Sequence, residues 1–269
     1  MSLNSNKQNS IHHEIDFNEN SFAIEVRDLK RYFKIKYETI KAVDGITFNV
    51  KWGECFGFLG PNGAGKTTTI NMLNGLLEPS EGTALIGGYN IRKDINKIHE
   101  IIGVCPQEPA VFKFLNGREN IELFGNLYGI PKKKLKERTN MLLEQFQLIE
   151  ASKRKTKGYS GGMIRRLNLV ISLISDPKIA FFDEPTVGMD PQSRRVNWDY
   201  IGFLKEQGKT IFLTTHYIEE AQVLSDRVAF IDYGKIIALD TPKALIEKYN
   251  AKNLEDVFIK LTGRKIRED

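Results

Sequence analysis

From Ala23 onward the chain changes repeatedly between two periods of apolar spacing, and that alternation predicts its architecture. The runs AIEV at 23–26, TFNV at 47–50 and CFGFLG at 55–60 have the β-branched and aromatic character of strands. Turn signals at Asp44-Gly45 and Lys51-Trp52-Gly53 separate them, so an antiparallel edge region leading into a buried strand is expected. Helical spacing follows from Thr67 to Leu77, with Ile70, Met72, Leu73 and Leu76-Leu77 on one face and Pro79 and Gly82 closing it. A further strand pair is expected around Thr83 to Ile86 and Ile101 to Cys105. Between about Arg118 and Ile149 apolar residues recur at three- and four-residue intervals, broken at Gly129 to Pro131, which predicts two or three helices in succession. Strands then return at Ile179 to Phe182, Thr210 to Leu213 and Arg227 to Ile231, with helices at Pro191 to Leu204 and Ile218 to Leu224. Such alternation makes a parallel sheet covered by helices on both faces, an α/β fold into which the helical stretch is inserted.

Composition sets the class and little more. At 269 residues, with 41% hydrophobic and 27% charged positions, the chain suits one large α/β domain or one core with a smaller insertion. No run approaches the roughly 20 consecutive apolar residues of a membrane-spanning helix, and the polar N-terminus lacks the apolar core of a signal peptide, so a cytoplasmic protein is expected. Cys55 and Cys105 stand alone in apolar strand-like runs and read as buried small side chains. His12-His13 is too short for a metal site. The net charge of +5 includes clusters at Lys132-Lys133-Lys134, Lys153-Arg154-Lys155 and Arg264-Lys265. Solvated helix faces explain them, and so does an anionic partner; the pattern leaves both readings open.

Chemistry enters at Gly60-Pro61-Asn62-Gly63-Ala64-Gly65-Lys66-Thr67, which fits G-x-x-x-x-G-K-[ST] and is followed by Thr68. Glycines let the backbone curl until successive N–H groups point at phosphates, at the positive end of the next helix. Lys66 is expected to reach the β- and γ-phosphates of a bound nucleotide, and the Thr67 hydroxyl to face Mg²⁺. The flanks suit that role, because an apolar strand precedes the loop and an amphipathic helix follows it. A phosphate site also needs an acidic residue at the end of a buried strand. Ile179-Ala180-Phe181-Phe182-Asp183 supplies one for the metal, and Glu184 next to it is expected to orient or deprotonate the attacking water.

With these residues in place, Tyr159-Ser160-Gly161-Gly162-Met163 resembles the LSGGQ signature of the nucleotide-binding subunits of ABC transporters, and the resemblance runs from Ala23 to about Gly263. It implies an ATPase coupled to transport, with ATP and Mg²⁺ as cofactors and a P-loop NTPase core of RecA type carrying an antiparallel β subdomain and a helical subdomain. The implied division is a disordered tail over 1–20, core over 21–108, helical subdomain with the signature over 109–176, core again over 177–242 and a helical extension over 243–269. Gln107 resembles the Q-loop glutamine that senses metal and γ-phosphate, Asp190 the acidic residue of the D-loop, and His216 the switch histidine. Of the adjacent aromatics Tyr32 and Phe33, the alignment favours Phe33 for stacking on adenine. The resemblance further implies that Ser160, Gly161 and Gly162 of one subunit complete the ATP site of another, in a homodimer on the cytoplasmic face of the membrane. The partner is then a separate transmembrane permease, docked near Arg118-Glu119-Asn120, and no nucleic acid is expected.

This signature departs from the common form at Tyr159 and Met163, which removes a glutamine contact but keeps Ser-Gly-Gly. With Arg165-Arg166 and Leu254-Glu255-Asp256-Val257-Phe258 it is similar to drug- and lipid-exporting members. A different class, a non-transport ATPase such as an iron–sulfur assembly component, is the alternative. Chromosome-maintenance members are a poorer match, because the interval from Lys66 to Ser160 has no room for a long coiled coil.

Overall fold

A computed structural model describes residues 22–263. In chain order the elements are β1 (Phe22–Ile35), β2 (Glu38–Lys51), β3 (Cys55–Leu59), α1 (Lys66–Leu73), β4 (Glu81–Ile86), β5 (Tyr89–Asn90), α2 (Ile95–Ile101), β6 (Ile102–Cys105), α3 (Gly117–Leu127), α4 (Lys132–Gln145) and α5 (Gly161–Leu173). They continue with β7 (Ile179–Asp183), α6 (Pro191–Glu206), β8 (Thr210–Thr215), α7 (Ile218–Leu224), β9 (Arg227–Asp232), β10 (Lys235–Asp240), α8 (Pro242–Lys248) and α9 (Leu254–Thr262). The polar tail expected over 1–20 and the cluster Arg264-Lys265 lie outside the described residues.

Two sheets organise the chain. One has four strands in the order β2-β1-β4-β5, all antiparallel, and the other six in the order β10-β9-β3-β8-β7-β6. Neighbours from β9 to β6 run parallel, and β10 closes one edge antiparallel to β9. The two strands expected as a pair therefore belong to different sheets: β4 lies on β1, whereas β6 lies on β7. Short apolar runs specify extended backbone but not the neighbour it pairs with. Helix α1 ends at Leu73 rather than Leu77, because Gly75 adopts a left-handed φ of 77° and the Asn74 side chain accepts from Leu76 N.

The period of two along each central strand divides the core into two layers. Phe56, Phe58, Phe181 and Phe212 face α1 and the antiparallel sheet, in one cluster with Phe48, Ile70 and Leu73. Cys55, Ala180, Phe182, Ile211 and Leu213 face the other way and pack with Ile121, Leu142, Leu167 and Val170 from α3, α4 and α5. Phe212 is the hub of the first layer, with ring centroids 5.4–5.8 Å from those of Phe48, Phe56, Phe58 and Phe181. A third cluster, Leu59, Val228 and Phe230 with Leu254, Val257 and Phe258, fixes α9 beneath β9 and β3. Both cysteines are buried, and burial pushes both thiols up to about 12. No helix among the described residues is long and apolar enough to cross a membrane.

Phe212→Ala should open a cavity where four rings meet and lower stability by about 3–5 kcal/mol. Urea unfolding with an unchanged m-value checks this; a loss below about 1 kcal/mol would remove Phe212 from its central place.

Candidate functional site

In an open parallel sheet, ligands gather beyond the carboxyl ends of the strands. Register places four chain segments there. Leu59 of β3 pairs with Thr215 of β8, Asp183 of β7 with Thr214, and Cys105 of β6 with Phe182. The loop after β3, the carboxylates ending β7, the histidine after β8 and the glutamine after β6 thus meet at one edge of the sheet, although they are far apart in sequence.

The loop from Gly60 to Gly65 is shaped by close backbone approaches. A Cβ at Gly60 would stand 2.2 Å from Ile231 O, and one at Gly65, whose φ is 107°, would stand 2.4 Å from Ala42 O. Ala64 N donates to Pro61 O, and Gly65 caps α1. A cavity of about 280 Å³ results, lined by Asn62, Gly63, Gly65, Lys66, Thr67 and Thr68 on one side and by Gln107, Glu184 and Ala42 on the other.

Lys66 is buried at 4% exposure, and its ammonium is fully employed. It donates to Gly60 O at 2.8 Å and Pro61 O at 3.1 Å, and pairs with Glu184 Oε1 at 3.0 Å. The other carboxylate oxygen of Glu184 lies 3.1 Å from His216 Nδ1, off the line a hydrogen bond needs, and 3.5 Å from Gln107 Nε2. Burial pushes the Glu184 carboxyl up, but His216 and Lys66 outweigh it and hold the group below the ordinary carboxylate value. Its neighbour Asp183 goes the other way: burial raises it, and the hydroxyls of Thr214 and Thr67 only partly offset that. Glu184 itself sits at a φ of 49°, a left-handed conformation that costs a non-glycine residue on the order of 1–3 kcal/mol. Its amide is anchored on Thr214, to the carbonyl at 3.1 Å and the hydroxyl at 3.2 Å.

Thr67 and Asp183 fit a hard divalent cation such as Mg²⁺. Both offer oxygen, they face one another, and the buried Asp183 has no ammonium of its own because Lys66 is committed to Glu184. No group of three or more His, Cys, Asp or Glu among the described residues could hold a metal without further donors. The arrangement suits an ion that takes its remaining ligands from phosphate and water.

The structure thus gathers Gly60 to Thr68, Gln107, Asp183, Glu184 and His216, and keeps the remaining candidates apart from the cavity lining. Ser160 caps α5, accepting from Met163 N at 3.3 Å, and stands exposed with Gly161. Asp190 caps α6 through Ser193 N at 2.9 Å, and Ser193 holds its carboxyl below the ordinary value. A Cβ on Gly162 would touch Ser193 Oγ at 3.0 Å, so these two helix N-termini lie side by side on one face. The Tyr32 hydroxyl donates to Asp44 at 2.6 Å, whereas the Phe33 ring lies 4.6 Å from the Arg31 guanidinium. Of the three residues expected to dock a partner, Asn120 is fully buried: its amide donates to Phe112 O and Asn116 O and accepts from Phe112 N. Glu119 caps α3.

Three participants escaped sequence reasoning. Thr214 bonds Asp183 and carries the Glu184 amide, which only strand register reveals. The Arg165 guanidinium donates to Gln107 O. Asn168 grips Pro106 O at 3.0 Å and Ala110 N at 3.1 Å, fastening the Gln107 loop to α5. An asparagine in the largely apolar LNLVISL was the available signal.

Comparison with known proteins agrees with this geometry. The profile of the ABC transporter family matches residues 43–187. The doxorubicin resistance ATP-binding protein of Mycobacterium tuberculosis is 43% identical over 229 residues, 85% of this chain and 68% of that protein. The linearmycin resistance ATP-binding protein of Bacillus subtilis is 42% identical over 226 residues, 84% of this chain and 71% of that protein. Among solved structures, an ATP-binding subunit of an ABC transporter superposes with a TM-score of 0.79 at 26% identity, covering 89% of this chain and 99% of that one. A dimeric post-hydrolysis ATP-binding cassette with ADP and Pi shares the fold, with a TM-score of 0.75 at 24% identity over 81% of this chain and 98% of that one.

The depressed Glu184 value has a signed consequence. The carboxylate stabilises the fold above its ordinary value of 4.5, and this contribution is lost as pH falls through the lower folded value. Glu184→Gln should therefore flatten part of the fall in urea midpoint as pH drops below the ordinary carboxylate value. A variant whose midpoint falls as steeply as the parent's would contradict the assignment.

Proposed function

The chain belongs to the ABC transporter family as an ATP-binding, ATP-hydrolysing subunit, and on that premise we propose that it powers export of drug-like solutes through a separate membrane permease. The observation that carries the mechanism is the separation of two surfaces: the cavity gathers Lys66, Gln107 and Glu184, with His216 against Glu184, while Ser160 and Gly161 stand exposed elsewhere. Nothing lies within 4 Å of a Cβ placed on Gly161, so the N-terminus of α5 is open to a ligand held by another chain. Two copies arranged head to tail then place each signature on the γ-phosphate of the other's ATP. Asp190, adjoining Gly162 through Ser193, falls at the same contact.

Within one cavity, the loop amides and Lys66 receive the phosphates. Thr67 and Asp183 would hold Mg²⁺, which would neutralise phosphate charge. An arriving γ-phosphate competes with Glu184 for the Lys66 ammonium. As Lys66 turns to phosphate, burial of Glu184 is less well compensated and its proton affinity rises, so the same exchange that binds ATP makes Glu184 a better base for water. His216 and Gln107, both beside the same oxygen of Glu184, hold that carboxylate and the γ-phosphate in place. Phe33 is assigned to the adenine. The division of the chain into core, 109–176 helical subdomain and 243–269 extension follows the same reading.

The relatives named for resistance to doxorubicin and linearmycin support export, and the chain's place is the cytoplasmic face of the membrane. The permease docks on the helical subdomain, where Phe112 and Phe114 are 54% and 78% exposed beside the capping residues of α3.

Glu184→Gln should bind ATP yet hydrolyse it at least about 100-fold more slowly, and accumulate a dimer visible by light scattering. Turnover at the parent rate would sink the assignment of the base. Neither Lys66→Ala nor Ser160→Arg should hydrolyse ATP alone, but mixing the two chains should restore activity, because a mixed dimer holds one intact site. Mixtures as inactive as the separate chains would rule out the head-to-tail arrangement.

A further inference from the structure

Glu220 lies on α7, four residues beyond His216, and is completely buried. Its Oε1 accepts two hydrogen bonds, from Thr186 Oγ1 at 2.7 Å and from Trp198 Nε1 at 2.9 Å. Thr215 bears on the same carboxyl, and Oε2 has no hydrogen-bond partner. Burial raises its pKa, with Thr215, Thr186 and Trp198 opposing only in part. Among the described residues Arg194 is the one cation that bears on it, and no salt bridge joins the two; a buried acid so placed is expensive to keep, and packing alone would be served better by an apolar side chain.

The donors explain what the acid joins. Thr186 belongs to the stretch between Glu184 and Asp190, and Val187 N bonds back to Glu184 O. Thr215 ends β8 immediately before His216, and its hydroxyl accepts from Tyr217 N at 2.9 Å. Trp198 comes from α6, the helix capped by Asp190. One carboxyl therefore lies between the chain segment that sets Glu184 and the segment that sets His216, behind the 3.1 Å contact between those two side chains.

We propose that Glu220 is a positioning residue for ATP hydrolysis, which acts through Thr186 and Thr215 to keep Glu184 and His216 in register. It touches neither nucleotide nor the cavity, so its loss should affect turnover rather than binding. Glutamine matches the carboxyl in shape and keeps an acceptor for Thr186 and Trp198. The inference rests on the reading of Glu184 and His216 as the hydrolytic pair.

The test compares full-length variants by steady-state ATP hydrolysis and by equilibrium binding of ATP. Glu220→Leu should lower kcat at least about tenfold and leave the ATP Kd within about threefold, whereas Glu220→Gln should keep kcat within about threefold of the parent. Trp198→Phe, which removes only the α6 donor, should also keep kcat within about threefold. If Glu220→Leu does not fold, Thr186→Val carries the test, with the same selective loss of kcat expected. Parent-like kcat in Glu220→Leu, or in Thr186→Val where that variant is used, would overturn the proposal. So would kcat and affinity falling together, or Trp198→Phe losing as much as Glu220→Leu. Glu184→Gln is measured alongside: parent-like turnover there means the hydrolytic pair is misassigned, whereas an inactive Glu184→Gln with an active Glu220→Leu rejects the role of Glu220 alone.

Discussion

The buried pair of Lys66 and Glu184 is the constraint around which the rest is arranged. Burying an ammonium and a carboxylate together is costly unless further groups satisfy both. Here two loop carbonyls take the remaining Lys66 protons, and His216 and Gln107 flank the far oxygen of Glu184. Supplying those groups requires β3, β6, β7 and β8 to end at one level, which parallel register among neighbouring strands provides. The left-handed backbone at Glu184 is a local cost of the same requirement, offset by its two bonds to Thr214. For the Lys66 ammonium, arrival of a phosphate would be an exchange of one buried anionic partner for another.

Much of this was legible in the chain. A phosphate loop is written in glycines whose purpose is backbone approach, and the carboxylates follow an apolar strand whose direction they share, so both motifs carry their geometry locally. The helical interval and the strand–helix alternation were also readable from period alone. What escaped depends on neighbours that no local pattern encodes. Sequence could not tell that β4 pairs with β1 and β6 with β7, since each run is merely short and apolar. Nor could it find Thr214, whose importance comes from lying opposite Asp183. Asn120 looked available for docking because of its position after the Gln107 loop; its amide is spent on the backbone of the loop before it.

Polar residues inside the helices form a pattern of their own. Asn168 on α5 and Asn120 on α3 each bond loop backbone between β6 and α3, and Arg165 adds a further bond at Gln107. Such bonds tie the glutamine at the cavity to the helix that carries Ser160. Movement of Gln107 toward a phosphate would pull on α5 through fixed hydrogen bonds and not through a slack loop, which gives the helical insertion a mechanical role in addition to its surface.

The two cysteines, both buried in the sheet's second layer and with thiols pushed up to about 12, leave the native chain nearly silent toward thiol-directed reagents at neutral pH. A cysteine placed at exposed Ser160 or Asn62 would react against that quiet background without prior removal of natural thiols. The separation between a nucleotide cavity and a signature could then be followed by spectroscopic rulers in a chain whose core remains as evolution packed it.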